Sequence, residues 1–135
     1  MYIWDLENTI TNSNHRQHFA DEKNWDEFHS LFPYDLPRWN NIKLFRACAR
    51  VAPVYILTGM MEKHREMAEA WLRKHNIVHD ALYMRDNKDF STSPVYKLRA
   101  ISRMRLRPYM AFDDRIDVVS AFLEAGIPAI LLTGA

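Results

Sequence analysis

The amino-terminal stretch Ile3-Trp4-Asp5-Leu6-Glu7-Asn8-Thr9 joins a short apolar run to a cluster of polar side chains. The apolar residues predict a buried β-strand from Tyr2 to Trp4. Two carboxylates, Asp5 and Glu7, follow it, and ligands bind at the carboxyl ends of parallel strands in α/β sheets. Asn8 tolerates the left-handed backbone that a tight exit from a strand needs. The stretch therefore predicts a strand that brings two carboxylates to one edge of a sheet.

Composition limits the classes of protein to which the chain can belong. Its 135 residues are 48% hydrophobic and 26% charged, which predicts a single globular domain over residues 1–135. Its net charge of +1 excludes a global basic field, so any contact with nucleic acid is local. Cys48 is the single cysteine, which excludes an internal disulfide. No apolar run is long enough to span a membrane and no signal peptide is visible, which predicts a cytoplasmic protein with no membrane partner.

Strand and helix patterns alternate along the rest of the chain. Further buried strands are predicted at residues 51–57, 81–84, 109–112 and 128–132, with helices in the intervals between them. This alternation predicts an α/β fold with three Rossmann-like layers, in which helices cover both faces of a parallel five-stranded sheet. The helix after the second strand is predicted to begin at about Met61.

An aromatic-rich insert, about residues 11–40, follows the first strand and predicts a small cap-like element. Within it Asn24 or Asp26 begins a short helix, and Pro37 begins a longer one. The aromatic side chains of the insert either pack inward or line the mouth of a site, where they would stack on a base. They include Phe19, Trp25, Phe28, Phe32, Tyr34 and Trp39.

Three further polar groups are predicted at the edge that carries Asp5. Thr58-Gly59 ends the second strand, where Thr58 offers a hydroxyl and Gly59 a close approach of the backbone beside a helix N-terminus that favours anions. Lys97 lies near the start of a helix whose predicted N-cap is Ser93. Asp113-Asp114 ends the fourth strand. Because the carboxyl ends of parallel strands meet at one edge, these groups predict a single site.

The residue types at this predicted site suit phosphoryl transfer. Asp5 is placed to be a nucleophile that forms an aspartyl-phosphate. Glu7 is placed to protonate the departing alkoxide and then to take a proton from the attacking water. Lys97 neutralises the nucleophile and the phosphoryl oxygens, while Asp113 and Asp114 offer the hard oxygen ligands that Mg²⁺ prefers. The pattern therefore predicts a Mg²⁺-dependent phosphatase.

The four groups, in this order, resemble the motifs of the haloacid dehalogenase superfamily of phosphotransferases. Within it the chain is most similar to the phosphatase domain of polynucleotide kinase-phosphatases and to stand-alone phage-type relatives of that domain. The stretches that carry this similarity are His15-Arg16, Trp25-Asp26-Glu27-Phe28, Ile56-Leu57-Thr58-Gly59, Asp80-Ala81-Leu82-Tyr83-Met84-Arg85, Val95-Tyr96-Lys97 and Phe112-Asp113-Asp114-Arg115. The resemblance implies a haloacid dehalogenase-like fold with a minimal cap.

The resemblance also implies roles for individual residues. Asp5 would be the nucleophile, Thr58 and Lys97 would bind the phosphoryl group, and Arg16 would contact the substrate. The implied ligands of Mg²⁺ are Asp5, the main-chain carbonyl of Glu7, Asp113 and Asp114.

The chain departs from the family pattern at two positions, with Glu7 in place of Asp and Asn8 in place of the usual Gly. Glu has nearly the same intrinsic pKa as Asp, roughly 4.3 against 3.9, but its extra methylene moves the proton donor. Because of Glu7, the resemblance does not predict the rate of catalysis. One alternative is a catalytically weak relative that binds metal and phosphate.

In the family that the chain resembles, minimal caps leave room for macromolecular substrates, so the resemblance implies an open site that accepts a macromolecular phosphate ester. Arg16, Arg85 and Arg115 are predicted phosphate contacts, together with the backbone of Gly59. With the resemblance, this favours removal of a 3′-phosphate from a nucleic-acid end. A nucleotidase acting on nucleoside monophosphates is the alternative, because one base and one phosphate would use the same contacts.

Other classes of protein fit the pattern less well. In a bacterial receiver domain the acidic pair comes first and the Lys last, whereas here Lys97 precedes Asp113. A dinucleotide-binding domain or a P-loop kinase needs a glycine-rich phosphate loop, and the chain has only 3 glycines. A zinc site at His15, His18 and His29 lacks the clustered cysteines that such sites commonly have.

Overall fold

The structure is built around a sheet of five parallel strands, in the order β5-β4-β1-β6-β7. The computed structural model describes residues 1–133. The elements in chain order are β1 (Tyr2–Trp4), β2 (Thr11–Asn12), α1 (Gln17–Asp21), α2 (Trp25–Ser30), β3 (Leu36–Pro37), α3 (Trp39–Ala49), β4 (Val54–Met61), α4 (Arg65–Lys74), β5 (Ala81–Arg85), α5 (Ser93–Met104), β6 (Met110–Asp113), α6 (Ile116–Glu124) and β7 (Ala129–Leu131). The predicted α/β fold with a parallel five-stranded sheet is therefore confirmed.

Helices cover both faces of the sheet, as predicted. One face packs against α3 and α4, and its core includes Trp4, Phe45 and Trp71. The other face packs against α5 and α6 around Ile3 and Phe122. Neighbouring residues of β1 thus point to opposite faces, as the period of a strand requires. Because the Trp4 ring is fully buried, its replacement by Ala is expected to cost about 3–5 kcal/mol.

The insert after β1 is anchored by a short antiparallel pair of strands, β2 and β3, in which Thr11 pairs with Pro37. Its helix α2 begins as predicted, because the side chain of Asn24 accepts a hydrogen bond from the Glu27 amide. Phe28 and Phe32 pack inward. The prediction that Pro37 begins the next helix is wrong, since Pro37 lies in β3 and α3 begins at Trp39.

Strand β4 is longer than predicted and runs through Thr58 and Gly59 to Met61. Thr58 and Met60 are buried, so the alternating pattern of a strand continues beyond the pair that resembles a turn. The register with β5 shifts between Leu57 and Met61. Helix α4 consequently begins at Arg65 and not at about Met61.

Sequence analysis also predicted the backbone conformation of Asn8 and the N-cap of α5. Asn8 has a φ of 64°, the left-handed conformation predicted for the exit from β1. The prediction that Ser93 is an N-cap is wrong: Ser93 is the first residue of α5, and Thr92 precedes it without a side-chain capping bond. None of the helices within residues 1–133 is long and apolar enough to cross a membrane.

Candidate active site

The candidate site begins where the chain leaves β1, between β4 and β6. The Asp5 amide donates to the carbonyl of Phe112 at 3.0 Å, which extends the pairing of β1 with β6 by one residue. The chain then turns, and the amide of Thr9 returns to the carbonyl of Leu6. This turn brings the Thr9 hydroxyl to Asp5, where it donates to Oδ2 at 2.9 Å. Thr9 therefore holds one oxygen of the Asp5 carboxylate.

Lys97 reaches the other oxygen of Asp5 from helix α5. Its Nζ lies 2.7 Å from Asp5 Oδ1 and 2.6 Å from Asp113 Oδ2, and all three side chains are buried. Burial alone would lower the pKa of Lys97, but the two carboxylates outweigh it and raise that pKa. Lys97 is therefore a fixed cation that links the ends of β1 and β6.

Asp5, Asp113 and Asp114 form an acidic cluster at this edge. One carboxylate oxygen from each lies within 4.8 Å of the others. Burial raises the pKa of Asp5 to about 6 against the lowering effect of Lys97, and burial and Asp5 raise that of Asp113 to about 6. Burial also raises the pKa of Asp114. Lys97 pairs with two of the three carboxylates, and the hard oxygens of all three fit a divalent cation such as Mg²⁺.

Glu7 is held by Arg16. Arg16 Nη2 donates to Glu7 Oε2 at 2.7 Å, and the Glu7 side chain keeps 21% of its surface exposed. Burial raises the pKa of Glu7, although Arg16 opposes this effect. A carboxyl group whose pKa is raised keeps its proton to a higher pH, which suits a proton donor.

The same arginine is fixed by Asp35. Its guanidinium donates to both oxygens of Asp35, each at 2.8 Å, and to the carbonyl of Phe28 at 3.1 Å. It also lies over the Phe28 ring, 4.3 Å from the centroid. Arg16 is fully buried. Sequence analysis placed Arg16 at an open position as a substrate contact. In the structure Arg16 is instead buried and hydrogen-bonded to Glu7.

Thr58 and Gly59 lie in β4, next to the exit of β1, because Trp4 pairs with Ile56 in the adjoining register. The Thr58 hydroxyl oxygen is buried and accepts a hydrogen bond from the Met60 amide at 3.1 Å. A Cβ at Gly59 would lie 3.4 Å from Arg85 Nη2 and 3.8 Å from Ser93 Oγ. Both are ordinary van der Waals distances, so Gly59 lies within contact range of Arg85 and of the start of α5.

Solved structures provide a comparison for this arrangement. A chain in the structure of the Pnkp1/Rnl/Hen1 RNA repair complex superposes with a TM-score of 0.83 and 24% identity over 97% of this chain. A haloacid dehalogenase-like family hydrolase from Streptococcus pneumoniae gives a TM-score of 0.70 and 14% identity, covering 96% of this chain and 82% of its own. The chain has the haloacid dehalogenase-like fold.

Two further comparisons bear on the extent of this likeness. A hydrolase of the same superfamily from Ehrlichia chaffeensis gives a TM-score of 0.59 and 14% identity, over 98% of this chain and 91% of its own. The chain spans less than half the length of the repair-complex chains it matches, which it covers to 41% and 45%. No protein-family model and no curated protein sequence matches it.

In this haloacid dehalogenase-like fold the two remaining predicted arginines differ in exposure. Arg85 is buried, donates from Nε to the Gly59 carbonyl at 3.1 Å, and lies over the Tyr96 ring. Arg115 keeps 54% of its side-chain surface exposed and forms two hydrogen bonds with Asp117. Arg115 is therefore the accessible member of the three arginines that sequence analysis predicted as phosphate contacts.

The structure also identifies residues that sequence analysis missed or considered for another role. Asp35 was not predicted, because no local pattern marks an isolated Asp that pairs with a residue 19 positions away. Thr9 lies within the motif but was given no role of its own. His15, considered as a zinc ligand, contacts Asp35 at 2.7 Å. Among residues 1–133 no potential metal-binding group includes His15, His18 or His29.

Proposed function

We propose that the protein is a Mg²⁺-dependent phosphomonoesterase that forms an aspartyl-phosphate at Asp5. The observation that carries the proposal is the pair of hydrogen bonds to the Asp5 carboxylate, from Thr9 and from Lys97, beside Asp113 and Asp114. These bonds favour the charged carboxylate, which is the nucleophilic form, against the effect of burial. Lys97 also supplies positive charge where the phosphoryl oxygens would lie.

The proposed reaction has two displacement steps at phosphorus. An oxygen of Asp5 attacks the phosphoryl group, and the bond between phosphorus and the ester oxygen breaks as Glu7 gives its proton to the leaving alkoxide. Glu7 then takes a proton from a water molecule, whose oxygen attacks the same phosphorus. The bond from phosphorus to Asp5 breaks, inorganic phosphate leaves, and both carboxyl groups return to their initial states.

Mg²⁺, when bound by Asp5, Asp113, Asp114 and the Glu7 carbonyl, would offset the repulsion between these carboxylates and an anionic substrate. The residues of the chain have separate tasks. Thr9 and Lys97 orient the nucleophile, and Arg16 orients the acid. The Thr58 hydroxyl, beside the exit of β1, is the proposed further contact for a phosphoryl oxygen.

The proposed substrate is a 3′-phosphate on a nucleic-acid end. Likeness in fold to a chain of an RNA repair complex supports this substrate, as does the exposed Arg115. The net charge of +1 is consistent with recognition of only the last nucleotides, with weak and salt-sensitive affinity. A nucleoside monophosphate would use the same contacts, so measured kcat/KM values must distinguish the two kinds of substrate.

The test compares kcat/KM with Mg²⁺ on four substrates: an oligonucleotide with a 3′-phosphate, the same oligonucleotide with a 5′-phosphate, and the 3′- and 5′-mononucleotides. We expect the first to be preferred. A preference of about tenfold for the 5′-mononucleotide, about 1.4 kcal/mol in transition-state binding, would indicate a nucleotidase. Asp5→Asn is the control variant: it should fold normally and show no turnover, and release of phosphate at the parent rate would contradict the mechanism.

A further inference from the structure

Phe90 lies on the loop between β5 and α5, residues 86–92, and is the most exposed of the large hydrophobic side chains, at 82%. The loop leaves the carboxyl end of β5, the edge of the sheet that carries Asp5. We infer that Phe90 stacks on the base of the nucleotide whose phosphate occupies the active site. The inference rests on the proposed phosphatase function and adds to it a binding site for the nucleobase.

The loop that carries Phe90 is held by its own hydrogen bonds. The Asp89 carboxylate accepts from the Ser91 amide at 2.9 Å, and the Asp86 carboxylate accepts from the Lys88 amide at 2.8 Å. Arg85 donates to the carbonyl of Ser91, the residue after Phe90. The backbone is thus fixed on both sides of an aromatic ring that is left in water. A Phe side chain on a fixed backbone has few rotatable bonds, so it loses little entropy when a base stacks on it.

The position of the loop connects Phe90 to the catalytic residues. Ser93 follows it by three residues, a distance of at most about 11 Å along the chain. Ser93 Oγ lies 3.5 Å from Nη1 of Arg115 and 3.8 Å from the position of a Cβ on Gly59. Lys97, one helical turn further along α5, contacts Asp5. The chain therefore leads from Phe90 through Ser93 to the lysine that contacts Asp5, while Phe90 itself lies outside the buried cluster.

The charges around Phe90 favour a nucleotide over an apolar ligand. Arg99 and Arg115 are about half exposed, with 48% and 54% of their side-chain surfaces in water, and Lys88 is exposed on the loop itself. The carboxylates of Asp86 and Asp89 accept hydrogen bonds from the loop amides. Arg99 lies 3.9 Å from Asp89, the residue before Phe90. Cationic side chains on and beside the loop suit a phosphate, an exposed aromatic ring suits a base, and stacking of this kind tolerates any sequence.

Kinetics with a matched control test the inference. The substrates are a 3′-phosphorylated oligonucleotide and a counterpart that lacks the terminal base. We expect Phe90→Ala to lower kcat/KM about tenfold on the first, the equivalent of 1.4 kcal/mol of stacking, and to leave the second unchanged. Phe90→Trp should retain activity on both. Val78→Ala, which removes an 81% exposed side chain before the opposite end of β5, is the control. An equal loss on both substrates, or none, would overturn the inference.

A binding measurement separates this inference from the proposed function. Asp5→Asn protein is titrated into an oligonucleotide with 2-aminopurine at its 3′-phosphorylated end, a base whose fluorescence is quenched on stacking. Quenching that is lost when Phe90→Ala is added to Asp5→Asn supports the stacking site, even if the parent protein hydrolyses a different phosphate ester. Quenching that is identical with and without Phe90, or absent from both, overturns it.

Discussion

Arg16 and Asp35 form a two-point ion pair, with both hydrogen bonds at 2.8 Å, and both side chains are fully buried. Asp35 ends the loop before β3, and Arg16 lies just before α1, so both belong to the insert. The same guanidinium reaches Glu7 at 2.7 Å. The insert therefore positions the proposed acid and base through one buried cation.

Asp35→Asn tests the contribution of this ion pair to stability. Asn cannot offer two charged acceptors, so the Arg16 cation would remain buried and incompletely paired. Loss of one partner of a buried pair costs about 3–5 kcal/mol, and we expect a decrease of that size in the free energy of unfolding, measured with a denaturant. The variant should also lower kcat, because Arg16 would no longer be fixed behind Glu7.

Asp117→Asn is the matched control for Asp35→Asn. Asp117 also makes two hydrogen bonds to an arginine, Arg115, but both side chains are about half exposed, at 49% and 54%. Exposed ion pairs contribute at most about 1 kcal/mol, so this variant should be nearly as stable as the parent. Equal decreases in the free energy of unfolding of the two variants would show that burial does not increase the contribution of the Arg16 pair to stability.

Glu7→Gln removes the proposed acid and base but keeps an oxygen that can accept from Arg16. We expect turnover to decrease by roughly 10²–10⁴-fold, the range typical of general acid–base catalysis. The decrease should be smaller on an aryl phosphate, whose leaving group needs no proton. Glu7→Asp should keep activity or increase it. If Glu7→Gln hydrolysed an alkyl phosphate ester as fast as the parent, Glu7 would have no part in proton transfer.

Asp113→Ala and Asp114→Ala test the proposed metal ligands. Each removes one of the three carboxylates whose oxygens lie within 4.8 Å of one another. Isothermal titration with Mg²⁺, which needs no turnover, should show a large decrease in affinity for each variant. Asp117→Ala, on the exposed start of α6, is the control and should bind as the parent does. Unchanged titrations for both cluster variants would place the metal elsewhere.

The acidic cluster also predicts how stability depends on pH when no metal is bound. In the folded protein the pKa of Asp5 and that of Asp113 are about 6, above the ordinary value of 3.8. The folded state therefore binds protons more tightly than the unfolded chain does. This tighter binding of protons stabilises the folded protein fully below about pH 4, and the stabilisation is lost as the pH rises through about 6.

Thermal unfolding in a metal chelator measures this effect. We expect the parent to lose stability relative to Asp113→Asn between about pH 4 and pH 7, because the variant carries one buried charge fewer. Saturating Mg²⁺ should reverse the trend for the parent, since the metal binds the deprotonated carboxylates. A difference between parent and variant that is constant over this range of pH would show that Asp113 does not titrate there.

Much of the fold follows from patterns that are local in the sequence. The buried strands and the exit turn at Asn8 each depend on a few neighbouring residues, and the structure confirms them. The extension of β4 was missed because Thr58-Gly59 has the composition of a turn, while pairing with β5 keeps it extended.

The partner of Arg16 could not be predicted for a different reason. Asp35 is 19 residues away, and the strands that bring the two together, β2 and β3, have only 2 residues each. Strands this short show no periodicity, so their pairing leaves no signal in the sequence. The sequence therefore points to Arg16 as a candidate residue but not to Asp35, the residue that fixes it.

The burial of Arg16 has a consequence for how substrate reaches Asp5. A hinged lid must separate from the domain beneath it, and here that motion would pull Arg16 from Glu7 and break the hydrogen bond from the Trp71 indole to the Asp35 carbonyl. The insert is therefore tied to the domain beneath it through Glu7 and through Trp71. Because Arg16 already orients Glu7 in the folded protein, less ordering of the proposed acid is needed when substrate binds.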